Sequence, residues 1–79
     1  MKVKDFYAVH DDAWLEIIDQ VKDDDRVIYA DYEEETTDKP SEEIMEREVE
    51  FICAYDFEEE VGKASIGDIC FVVYTVMGI

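Results

Sequence analysis

Between Glu48 and Phe57 the chain alternates residue by residue. Val49, Phe51, Cys53, Tyr55 and Phe57 fall on one side, and Glu48, Glu50, Ile52, Ala54 and Asp56 on the other. Coiled into a helix, this period-two pattern would scatter its apolar groups around the whole circumference. It predicts a half-buried strand with its aromatic side on the core. A lone strand cannot bury that side, so a sheet must surround it. Ile69 to Met77 is apolar on both sides, with Ile69, Phe71 and Val73 against Cys70, Val72 and Tyr74. That predicts an interior strand, since an exposed one of this kind would aggregate. The acidic strand then lies nearer an edge than the apolar one.

The rest of the chain supplies two more strands and two helices. Arg26 to Glu33 is rich in β-formers, with Val27, Ile28, Tyr29 and Tyr32. Asp12 to Val21 fits two templates. As a helix capped by Asp11 or Asp12, it groups Trp14, Ile17, Ile18 and Val21. As a strand, it sets Ala13, Leu15, Ile17 and Val21 against Trp14 and Ile18. The strand is favoured, because Asp23, Asp24 and Asp25 then form a hairpin turn. Val3, Phe6, Tyr7 and His10 are spaced i, i+3, i+4 and i+7, an amphipathic helix of two turns. Residues 34–40 read as loop closed by Pro40. Ser41 caps a short helix with Glu42 and Glu43 in its first turn and little beyond Ile44 and Met45. The expected fold is a single α+β domain over residues 1–79. It has a four-stranded, mainly antiparallel sheet, an N-terminal helix on one face and a second short helix.

Charge limits the function classes. The chain has 79 residues, 48% hydrophobic, so a core can form, yet 23 Asp and Glu stand against 7 Lys and Arg for a formal charge of -16. Residues 31–60 hold 14 acids and 2 bases, which places three quarters of the net charge in the middle third. A nucleic-acid binder needs a basic footprint, and so does a protein of anionic lipid surfaces. Neither direct nucleic acid nor membrane is expected as a partner. No apolar run approaches the roughly 20 residues of a membrane span, and no signal-peptide pattern is present, so a cytoplasmic location is expected. Halophilic adaptation also gives acidic surfaces, but the many large apolar residues here fit it poorly.

Catalytic and metal motifs are missing. With so many acids, any carboxylate spacing arises by chance. Asp23 to Asp25 begins no EF-hand, because its sixth position is Ile28 where a turn glycine is needed. His10 is the single histidine, and the three glycines form no phosphate-cradling loop. Cys53 and Cys70 read as free thiols packed as small hydrophobes, with a bridge between neighbouring strands as the alternative. No enzyme activity, catalytic residue, cofactor or metal is expected. The working feature is the charge. On an extended strand Glu48, Glu50 and Asp56 form a linear acidic row, preceded by Glu42, Glu43 and Glu46 and followed by Glu58, Glu59 and Glu60. Such a row imitates the charge array of a nucleic-acid strand and suits a basic protein surface. Ile52 and Ala54 would add apolar contacts, and Trp14 or Tyr32 would anchor them. The alternatives are a solubilising coat, or a structural or regulatory module that homodimerises through an edge strand.

Met1 to Phe6 (MKVKDF), Asp11 to Asp19 (DDAWLEIID) and Pro40 to Val49 (PSEEIMEREV) together resemble small uncharacterised acidic proteins of phages and mobile elements in Gram-positive gut bacteria. The resemblance covers about half the chain and favours the strand at residues 13–20. It carries over no catalytic or binding residue. It implies a setting in which tiny acidic proteins, anti-CRISPR proteins among them, inhibit host nucleic-acid enzymes. The partner it implies is a host nucleic-acid-binding protein.

Overall fold

In chain order the elements are α1 (Val3–Tyr7), β1 (Trp14–Val21), β2 (Asp24–Ala30), α2 (Glu42–Met45), β3 (Glu48–Asp56) and β4 (Ile69–Val76). The computed structural model describes residues 1–10, 12–21 and 24–76. Asp11, Asp23 and Met77, named above as cap, turn and strand residues, lie outside the described residues.

The four strands form one sheet in the order β2-β1-β4-β3. β1 pairs antiparallel with β2, and β3 antiparallel with β4, but the central β1–β4 pair is parallel. The sheet is therefore mixed, which corrects the mainly antiparallel expectation. Each hairpin forms locally from neighbouring segments. They join through the first strand of one and the last strand of the other, and these run in the same direction. Side-chain periodicity carries no information about which strands become neighbours.

Both central strands are buried on both faces, which explains why residues 12–21 fitted a helix template as well as a strand. One face holds Val3, Leu15, Ile17 and Val73, with Phe6, Tyr7, Ile44 and Met45 of the two helices packed against them. The other holds Ile18, Phe57, Ala64, Cys70 and Val72, flanked by Trp14, Tyr32 and Tyr74. Each fully buried Leu, Ile or Val contributes about 1.5–3 kcal/mol. Both helices thus cover one face, and loops cover part of the other. Thr75, fully buried, donates from Oγ1 to the Ile18 carbonyl at 2.8 Å and so leaves no lone hydroxyl in the core.

Local chemistry sets the helix limits. The Asp5 carboxylate accepts from the Lys2 N–H at 3.0 Å and opens α1. α1 stops at Tyr7, one turn earlier than its spacing predicts. His10 Nδ1–H donates to the Tyr7 carbonyl at 2.7 Å and takes an acceptor that a continued helix would use for its next turn. Ser41 Oγ accepts from the Ile44 N–H at 3.3 Å, as expected of the cap of α2. β2 begins at Asp24, opposite Val21, and ends at Ala30, so Asp24 and Asp25 are strand residues rather than the turn.

β3 is an edge strand, as expected, but its alternation is broken. The register shifts between Val49 and Phe51, so Glu50 is an extra residue. Val49 and Ile52 pack on the helix-covered face, while Phe51 stacks on Tyr74 across the other face at 4.3 Å between ring centroids. The supposed core side of β3 therefore points outward over much of its length. Phe51 is 44% exposed, Tyr55 39%, and Cys53 is also exposed. This corrects the aromatic-in reading and the reading of Cys53 as buried. Cys70 is a buried free thiol.

Candidate functional site

The acidic row does not form. Glu48 opposes Val76 and Asp56 opposes Ile69 across β4, on opposite faces of the sheet, and Glu50 occupies the bulge. Eight strand steps separate Glu48 from Asp56, about 26 Å at the usual rise. The nine acids singled out in the sequence thus gather at the two ends of β3, with Glu50 between. Glu42, Glu43, Glu46 and Glu48 are exposed at the α2 end. Asp56, Glu58, Glu59 and Glu60 are exposed at the other.

At the α2 end the chain supplies its own cations. Glu46 Oε2 lies 3.0 Å from Lys4 Nζ and 3.5 Å from Lys2 Nζ, and Glu48 Oε2 lies 3.7 Å from the Met1 amino group. Its bond to Lys4 holds the Glu46 carboxyl below the usual range and raises the Lys4 ammonium. Beside them Arg47 Nη1 reaches Asp19 Oδ1 at 2.8 Å, with both side chains at 16% exposure or less. The Met1 carbonyl accepts from the Val49 N–H at 2.8 Å, which covers the outer edge of β3 there. This end is tied down, and two of its four acids, Glu46 and Glu48, are paired.

The far end is built differently. Phe57 leaves β3 and buries its ring, and Tyr32 and Tyr55 meet it edge-on, with centroids 5.1 and 5.2 Å away. With Asp56, Glu58 and Glu59 these rings line an open groove of about 730 Å3. Its frame is fixed from below. The Phe57 N–H donates to the Asp68 carbonyl and the Gly67 N–H to the Phe57 carbonyl, both at 2.9 Å. Asp68 Oδ2 accepts from Trp14 Nε1–H at 2.9 Å and from the Ser65 N–H at 2.8 Å, and these bonds lower its carboxyl pKa. The Lys63 N–H donates to the Tyr32 carbonyl at 2.7 Å. This close approach requires Gly62, whose φ is +57° and whose added Cβ would lie 2.1 Å from the Tyr32 oxygen.

The groove holds its phenols in the neutral state. The Tyr32 hydroxyl donates to Glu16 Oε1, and burial together with that carboxylate pushes its pKa well up. Burial, reinforced by Cys70, does the same for Tyr55. Burial pushes the Cys70 thiol itself up to about 11, so it is protonated and a poor nucleophile at neutral pH. Asp31 is also raised, by burial first, although it accepts from the Leu15 N–H at 2.7 Å.

One expected anchor and one expected apolar contact are placed otherwise. Trp14 packs, partly buried, against the core and is bonded to Asp68, and Ile52 joins the helix-side core. Tyr32 does reach the groove. Sequence reasoning read both Tyr55 and Phe57 as core, which holds for Phe57 but not for the exposed Tyr55, and it missed that both line the groove. Their signal was an aromatic cluster bordered by Asp56 and Glu58 to Glu60 where the strand ends. A second groove, lined in part by Phe6, Val9, His10, Ile69 and Phe71, opens between the end of α1 and the start of β4. No helix of the described residues is long and apolar enough to cross a membrane. Among those residues no three His, Cys, Asp or Glu side chains converge on a point that would hold a metal ion. Comparison of the chain with family models, curated proteins and solved structures finds no match.

Proposed function

We propose that this protein is a non-enzymatic acidic interaction module of phage or mobile-element origin. It docks on a basic protein surface that otherwise holds nucleic acid. The observation that carries the reading is uncompensated charge. The net formal charge is -16, and among the described residues the ion pairs engage only Asp19, Glu46 and Glu48 of the carboxylates. Such self-repulsion opposes folding, and a cationic partner relieves it.

The test is displacement of fluorescent duplex DNA from purified basic DNA-binding proteins of Gram-positive bacteria. Displacement is expected at about 50 mM salt and should fade steeply by about 200 mM. Failure to displace DNA from every such protein at low salt overturns the proposal.

The exposed Phe51 and Tyr55 on an edge strand favour a second reading, a homodimer through β3. Because Met1 and Lys2 cover the Glu48 end of that edge, a two-fold antiparallel pairing would be centred on Cys53 and would set Glu50 against Asp56 of the second copy. Like charges then face each other, so this dimer should form only at high salt, the reverse dependence. Sedimentation across a salt series separates the two.

A further inference from the structure

We propose that the groove at the Asp56 end of β3 is a binding site for an arginine side chain presented by a protein partner. The inference rests on the reading that the partner is basic, and adds where and how it is gripped. Three observations converge on a planar cation. The groove is lined by Tyr32 and by Tyr55, 39% exposed, both packed on the buried Phe57 ring, and the faces of such rings attract cations through their quadrupoles. Its rim carries the carboxylates of Asp56, Glu58 and Glu59, and among the described residues no ion pair engages any of them. The lining is also held without any ligand, by the Glu16 bond to Tyr32 and the backbone bonds at Phe57 and Lys63. A site fixed beforehand loses little entropy on binding.

The chemistry of the lining favours arginine over lysine. A guanidinium is flat and weakly hydrated and stacks on an aromatic ring. Its fork then meets two carboxylate oxygens at once, whereas an ammonium is a strongly hydrated point charge with no plane to stack.

The experiment is an amide-resolved NMR titration of the whole chain with a blocked peptide of three Arg-Gly-Gly repeats, and with its lysine counterpart. The arginine peptide is expected to shift Tyr32 and residues 55–61 most, and to bind roughly fivefold more tightly than the lysine peptide. Tyr55→Leu should weaken arginine binding by about three- to fivefold, and Tyr55→Phe, which keeps the ring, should restore most of it. Glu58→Gln with Glu59→Gln lies in an exposed loop and guards against a folding artefact. It should weaken binding by a similar factor. Equal affinity for the two peptides overturns the arginine assignment. Shifts spread over residues 42–50, with no effect of Tyr55→Leu, overturn the groove while the basic-partner reading stands. Absence of binding by either peptide at low salt overturns both.

Discussion

The two ends of β3 carry similar numbers of carboxylates and have opposite electrostatic fates. At the Glu48 end the chain folds its own amino terminus and two lysines onto the acids, and Arg47 closes on Asp19. At the Asp56 end no ion pair among the described residues engages Asp56, Glu58, Glu59 or Glu60, and the first three rim an aromatic groove instead. Formal charge counted along a sequence treats the ends alike. What separates them is where the N-terminal segment returns in space. Acidity becomes a usable surface only where the fold withholds its own counter-ions.

The contrast can be broken most forcefully at Arg47. Arg47→Ala leaves Asp19 nearly buried without a partner and should cost about 3 kcal/mol in chemical denaturation. At the other end, Glu58→Gln should leave the unfolding midpoint almost unchanged. Gly62→Ala comes next. It forces an L side chain to a positive φ against the Tyr32 carbonyl, and a loss of about 2 kcal/mol or more is expected. The same variant should shift the Tyr32 and Tyr55 ring resonances, and leave those of the α2 end in place.

A smaller effect follows from Asp68, which braces the groove from beneath. Its folded pKa lies below the ordinary value of 3.8. Its stabilising contribution is therefore complete above that value and is lost as pH falls through the lower folded one. Acid unfolding monitored by Trp14 fluorescence should lose part of its pH dependence in Asp68→Asn. Asp31 works in the opposite sense. Its raised pKa makes the ionised form a burden at neutral pH, so Asp31→Asn should cost less than the loss of a charged hydrogen bond would suggest. The smallest expected effect is that of Glu46→Gln. Its partners are exposed, so stability should not change measurably.

Much of the scaffold was legible in the sequence. The apolar run Ile69 to Val76 marked an interior strand, Ser41 marked a helix cap, and the acidic strand marked an edge. Each is a local signal with a local cause. The bulge at Glu50 was invisible, because an extra residue leaves no compositional trace and reverses the facing of every residue on one side of it. The parallel β1–β4 seam was equally hidden, since strand neighbours are chosen by tertiary fit. The groove was half legible. Its acids were conspicuous, but Tyr55 and Phe57 looked like core until the bulge turned Tyr55 outward and Phe57 curled beneath it.

The seam between β1 and β4 also sets an order of events during synthesis. Trp14 pairs with Cys70, so the first hairpin must wait for the last strand to leave the ribosome before its bare flank is closed. Long-range parallel pairing of this sort is slow to form. A net charge of -16 opposes association of chains whose flank is still open.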